Sequence, residues 1–163
     1  PISWVQGDAL STIDSLETFD MVFTCPPYYN LERYSSDKRD LSNMPSYDVF
    51  IGAYGDILYR ASNHLKDNSF FVIVVSEIRR EAHNVANSDF YGFVADTIQI
   101  LKGLCGLKYY NEIILENNIG SLPIRAPKNF NRSRKIGRHH QNILVFYKGD
   151  LSEIEGKFGD VIP

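Results

Sequence analysis

Cysteine is nearly absent. Cys25 and Cys105 are the only two in the chain, and neither stands at a metal-type spacing to any of the four histidines. That excludes a disulfide framework and a zinc site, and predicts reduced thiols. Long hydrophobic runs are also missing. The longest strictly apolar run, Phe70 to Val75, is far too short to cross a bilayer, and no charged, apolar and small-residue leader opens the sequence. The expectation is a cytoplasmic protein with no membrane partner. Glycine is scarce where a nucleotide site would need it: no Asp-x-Phe-x-Gly-x-Gly-like run supplies a strand-to-helix turn that lets the backbone approach a ligand closely. Gly103-Leu104-Cys105-Gly106 follows a helical pattern and reads as a helix stop at Gly103. Finally, acidic residues are absent from Ser121 to His140, a stretch with six Lys or Arg. The remainder holds 11 basic and 20 acidic residues, a balance of −9 against +6. Such asymmetry predicts a localised polyanion-binding surface on an otherwise acidic chain.

What is present fits one α/β domain over residues 1–163. The hydrophobic content of 44% is enough for a real core in a chain of this length. Strands are predicted at Ile2 to Gln6, Phe19 to Thr24, Phe70 to Val75, Leu107 to Leu115 and Asn142 to Lys148. Phe70 to Val75 is continuous and β-branched, the pattern of a strand covered on both faces. Between strands, Gly7-Asp8 opens a helix over Ala9 to Leu16, with Asp8 a candidate N-cap. Ser46 and Asp48 open a second helix, whose stripe is Phe50, Tyr54, Ile57, Leu58, Ala61 and Leu65. A third runs from Asn87 to Gly103 on Phe90, Phe93, Val94, Ile98 and Leu101. Asn30 to Pro45 is a long polar loop, and Ser76-Glu77 ends the central strand where an open sheet forms its ligand crevice.

The most informative stretch is Phe19-Asp20-Met21-Val22-Phe23-Thr24-Cys25-Pro26-Pro27-Tyr28-Tyr29-Asn30. A buried strand stops at two prolines followed by aromatics. Proline fixes its own φ and biases the preceding residue to extended geometry, so Cys25 and Pro26 are held in one conformation with their carbonyls turned out of the sheet. Fixed acceptors beside aromatic faces, at the carboxyl end of a strand, make a candidate active site.

Here the sequence resembles the amino-directed, S-adenosylmethionine-dependent DNA methyltransferases, whose signature is Asp, Asn or Ser followed by Pro-Pro and an aromatic residue. The signature reads Cys25-Pro26-Pro27-Tyr28 in this chain. The resemblance implies that Cys25 and the Pro26 carbonyl accept hydrogens from an exocyclic amino group while Tyr28 stacks on a flipped base. It also implies that Asp8 contacts the adenine amino group of the cofactor, S-adenosyl-L-methionine. Cysteine departs from the signature: it is a weaker acceptor than a carboxylate, amide or hydroxyl, which shifts the contact towards the Pro26 carbonyl. The implied fold is the catalytic half of a Rossmann-like class I methyltransferase sheet with helices on both faces, the glycine-rich cofactor half lying outside this chain in a phage-like arrangement. Its fourth strand, Phe19 to Thr24, would then have an unpaired edge through which an isolated chain could form a homodimer.

Residues 118–141 read as a basic loop within that domain. Arg125, Lys128, Arg132, Arg134, Lys135 and Arg138 are candidate phosphate contacts, with His139 and His140 as candidate base or stacking contacts. The partner expected from all of this is DNA, methylated at adenine N6 or cytosine N4 in a setting such as restriction-modification. RNA or a protein glutamine as substrate, and a nucleic-acid-binding module without catalysis, stay open as alternatives.

Overall fold

The structure, a computed structural model, describes residues 2–80 and 89–159. Its centre is a four-stranded sheet with the order β1-β2-β4-β3, formed by β1 (Phe19–Thr24), β2 (Leu65–Val75), β3 (Lys108–Glu116) and β4 (His140–Lys148). β1 and β2 run parallel, from Phe19 opposite Leu65 to Thr24 opposite Ile73. β4 lies antiparallel between β2 and β3. The ends of β1 and β2 and the start of β4 therefore meet at one end of the sheet. β1 is an outer strand, as the resemblance implied.

The crossover from β1 to β2 is α2 (Tyr47–His64). It starts where the sequence places it: Ser46 is extended and its hydroxyl accepts from the Val49 amide, with Asp48 in the first turn. Its buried stripe, Phe50, Tyr54 and Leu58, meets Phe71, Ile73 and Val75 from β2 and Phe93 and Leu101 from the next helix. Each such ring or branched chain contributes about 1.5–3 kcal/mol relative to exposure. Exposed ion pairs such as Lys66 with Asp20 add little beside that. The one hydroxyl pair inside this layer is satisfied, Tyr54 to Thr97 at 3.1 Å and Thr97 onward to the Phe93 carbonyl at 2.8 Å.

Side chains alternate along β2, so Phe70 faces away from this layer. There it packs on Phe158 of the short helix α5 (Ile154–Phe158), with ring centroids 5.2 Å apart. Helices thus flank both faces, although on the second face Met21 and Phe23 of β1 stay 56% and 63% exposed. Among the described residues no helix is long and apolar enough to cross a membrane.

Several boundaries differ from the sequence reading. Residues Ile2 to Gln6 form no strand: they are solvent-facing, with Trp4 90% exposed. The segment pairs with none of the four strands, the outer strand β1 included. The first helix splits into α1 (Ala9–Thr12) and a 3₁₀ turn, Ile13–Ser15. β2 begins at Leu65, five positions before Phe70, because Leu65 pairs with Phe19 and Lys148 donates to the carbonyls of Ser62 and Leu65. The third helix, α3, covers Phe93–Gln99 only. Gly92, at φ 88°, sets its start; Phe90 lies outside it, bridged to Arg79, and the predicted start at Asn87 lies outside the described residues. Gly103 is not its stop. α3 passes into a π turn, Ile100–Leu104, and the reversal comes at Gly106, whose φ of 69° favours glycine.

The basic stretch is not a loop. It contains α4 (Leu122–Ser133), which has no buried residue. Pro123 in the first turn is favourable there. Pro127 costs one backbone hydrogen bond early in the helix without ending it.

Candidate active site and basic surface

The Pro-Pro turn is held from two sides. Thr24, Cys25, Pro26 and Pro27 form one wall of an open cleft of about 920 Å³, a size suited to a small organic ligand. Cys25 is an exposed free thiol. The next two residues turn inward. Tyr29 takes a left-handed φ of 49° and is 7% exposed, its ring wedged edge-on against Tyr47 and Tyr91 and tilted on Phe50. A non-glycine residue in that region is strained, and the aromatic packing stabilises it. Tyr28 is partly buried, edge-on to Phe93 with centroids 5.8 Å apart. Its hydroxyl donates to the Val74 carbonyl at 3.4 Å and accepts from Gln141 Nε2 at 3.0 Å. Burial, and after it the nearby Cys25, push the Tyr28 hydroxyl up to about 12.

Asp8 stands on the same cleft wall. It is the N-cap of α1, accepting from the Leu10 amide at 3.0 Å, while its other oxygen lies 3.6 Å from Arg39 Nη1. Asp8 thus caps α1 and lines the cleft at once. Ile13, Val22, Leu58, Ala61 and Phe71 give the cleft an apolar floor. The polar loop after the turn folds over it: Ser35, Asp37, Arg39, Asp40 and Leu41 all line the cleft. Arg39 forks onto Asp37 at 2.7 and 3.2 Å, and these bonds hold the Asp37 carboxyl down to about 2.

Three more groups were not singled out from sequence: Arg39, Gln141 and Tyr29. Arg39 sits in a run of mixed charges with no periodicity. Gln141 reaches Tyr28 only through the β2–β4 register, which no local pattern reveals. Tyr29 was readable as an aromatic beside the turn, but its anchoring depends on α2. Glu77, expected near the crevice, turns Oε2 into the interior, where it has no hydrogen-bond partner among the described residues.

The eight basic-segment residues separate into two groups, and none lines the cleft. Arg125, Lys128 and Arg132 lie on α4. Arg134 caps that helix at φ 56° and donates back to the Phe130 carbonyl at 3.3 Å. Lys135 follows, and Arg138, His139 and His140 return to the sheet edge. Arg138 Nη1 donates to Ser76 Oγ at 3.3 Å, and His139 Nε2 lies 3.4 Å from Glu116 Oε1. His140 opens β4, its carbonyl accepting from Ser76 Oγ at 3.5 Å.

Burial raises several tyrosines, Tyr28, Tyr54 and Tyr47 furthest, the last helped by its 2.7 Å bond to Asp96. An unfolded tyrosine ionises near pH ~10. Above that pH the unfolded chain holds fewer protons than the folded one, so stability falls with rising pH. We predict a urea midpoint that is steady just below pH ~10 and declines as pH rises from about 10 towards 12. An unchanged midpoint across that window would contradict the buried hydroxyls.

No protein-family model and no curated protein sequence matches the chain. Solved structures do. A protein of Thermus thermophilus, provisionally assigned as a DNA modification methylase and crystallised with S-adenosyl-L-methionine, matches with a TM-score of 0.63 at 19% identity. The match covers 96% of this chain and 56% of that one. The PvuII DNA methyltransferase, cytosine-N4-specific, matches with a TM-score of 0.57 at 15% identity, over 94% and 53% of the two chains. The chain thus spans about half the length of these structures. At such identities the likeness is one of fold: the four strands described above are laid out like part of the Rossmann-like sheet of those structures.

Proposed function

We propose that this chain is the catalytic half of an S-adenosyl-L-methionine-dependent DNA methyltransferase acting on the exocyclic amino group of adenine (N6) or cytosine (N4). The observation that carries the reading is the shared cleft: the Cys25-Pro26-Pro27 turn and the Asp8 carboxylate face one space over an apolar floor. Such a donor set suits an adenosyl group, whose amino and hydroxyl hydrogens need an acceptor and whose rings need apolar contact. Asp8, Ile13 and Phe19 would hold it. The glycine-rich turn for its close backbone contacts is not among these residues.

When bound, the cofactor supplies an electrophilic methyl on a sulfonium. The amino nitrogen of a nucleobase is conjugated with its ring and is a poor nucleophile. Transfer forms a C–N bond as the C–S bond breaks, and the nitrogen then loses a proton. Pro26, with its rigid carbonyl, favours the positive charge that develops on that nitrogen, and Cys25 adds a weak acceptor. Tyr28, fixed by Gln141 and Val74, offers a ring to an extruded base.

Incubating the full-length protein with methyl-labelled cofactor and duplexes of varied sequence is expected to place label on DNA amino nitrogens. Base analysis of the product separates adenine from cytosine. Label found only in RNA or in protein would sink the assignment.

A further inference from the structure

The stretch that folds over the cleft after the Pro-Pro turn is braced from within. Asn43 Nδ2 donates to the carbonyls of Ser35 and Asp37 at 2.9 and 2.7 Å. Ser35 Oγ donates to Asp40 Oδ2 at 2.8 Å and accepts from the Asp37 amide at 3.1 Å. Asp40 caps a 3₁₀ turn, Leu41–Asn43, through the Ser42 amide at 2.9 Å. Short polar side chains that close local turns in this way fix a segment with little regular structure of its own.

That braced segment presents one guanidinium to the cleft. The Arg39 amide and Nε both donate to Asp37 Oδ1, at 2.9 and 3.2 Å, and Nη2 donates to Asp37 Oδ2 at 2.7 Å. Held by two of its nitrogens, a planar guanidinium has its direction set. The third nitrogen, Nη1, then faces Asp8, 3.6 Å from Oδ2. Asp8 is half committed already, since Oδ1 accepts from the Leu10 amide as the cap of α1. At 3.6 Å the Arg39 contact is longer than a hydrogen bond, so it attracts Oδ2 without saturating it. Both residues line the same cleft.

We propose that Arg39 is a positioning residue of the cofactor site, which acts through Asp8 by turning Oδ2 towards the amino hydrogens of a bound adenosyl group. The inference deepens the proposed function and rests on Asp8 as the acceptor for the cofactor. One hydrogen bond leaves a carboxylate able to swing about its last bond; a cation beyond the second oxygen defines its plane. Support of this kind is what holds a ligand-binding group in its productive geometry. Arg39 itself is engaged by Asp37, so its role is to aim Asp8 and not to hold the cofactor directly.

The test measures S-adenosyl-L-methionine binding to the full-length protein by calorimetry, together with cofactor-dependent methyl transfer, for the parent, Arg39→Gln, Arg39→Lys, Asp8→Asn and Asp8→Asn/Arg39→Gln. Asn caps a helix as well as Asp does, so Asp8→Asn removes the second acceptor and leaves α1 in place. Arg39→Gln is expected to weaken cofactor binding about two- to five-fold, as suits an exposed ion pair, and the loss should fall on KM for the cofactor and not on kcat. Arg39→Lys keeps the charge without the fork and should recover part of the loss. In the Asp8→Asn background Arg39→Gln should cost nothing further, because the carboxylate it aims is gone. Thermal melting of each variant checks that the fold is intact. Losses that multiply in the double variant would make Arg39 an independent ligand and overturn the positioning role; so would parent affinity in the folded Arg39→Gln protein. Either result leaves the methyltransferase reading standing. A parent protein that binds no S-adenosyl-L-methionine would sink that reading and the positioning role together.

Discussion

Tyr28→Ala is expected to lower methyl transfer to DNA by the full-length protein about 5- to 150-fold, because base stacking on an aromatic side chain is worth about 1–3 kcal/mol and each ~1.4 kcal/mol is tenfold. The surroundings of the ring refine that number. Tyr28 touches Phe93 on the core side and holds two hydrogen bonds through its hydroxyl. Tyr28→Phe keeps a stacking ring but leaves the Gln141 amide without its acceptor, so it should retain most activity with a measurable loss. kcat/KM on a duplex substrate, with circular dichroism as a check on folding, separates the cases. Full activity in the alanine variant would remove Tyr28 from base recognition, and an unfolded one would make the ring a core element alone.

Phe50→Ala should cost about 3–5 kcal/mol of global stability, the range for deleting a buried phenyl. Phe50 is 0% exposed and packs on Tyr29, Tyr47, Tyr54 and Phe93. Against a typical total of about 5–15 kcal/mol, such a loss leaves a small domain marginal. The cavity would open directly beneath Tyr29, whose left-handed backbone depends on that packing, so the Pro-Pro turn should loosen before the sheet does. Urea denaturation gives the stability change, and proteolysis near Tyr29 reports the turn. A loss below about 1 kcal/mol would mean that the aromatic cluster closes over the gap and that Phe50 is no keystone.

Much of this was legible in the sequence, for reasons that differ by element. β1, β2 and α2 announce themselves because their apolar spacing, the Ser46 cap and the two prolines are local signals. Asp8 was legible as a cap, because Gly7-Asp8 precedes a helical pattern. Other features depend on partners distant in the chain. Ile2 to Gln6 has strand-like alternation and yet pairs with none of the four strands. α4 was hidden by Pro127, which reads as a helix breaker although Pro123 in the first turn favours a helix start. Gln141 on Tyr28 and Tyr29 under Tyr47 arise from the β2–β4 register and the α2 crossover, and no window of neighbouring residues contains them.

The base of the β3–β4 hairpin has one more consequence. Glu116 stands opposite His140, and the Asn117 amide donates to the His139 carbonyl at 2.6 Å, so backbone bonds, with the side-chain contact of His139 to Glu116 beside them, close the excursion that carries α4. With no buried residue in α4, that excursion adds nothing to the alignment of the two strands. Doubling the length of a flexible closed segment costs only about 0.6 kcal/mol, less than the ~0.8 kcal/mol of one buried methylene. Residues between Asn117 and His139 can therefore be exchanged as a cassette, which lets ligand preference be rebuilt while the sheet and the Pro-Pro turn stay as they are.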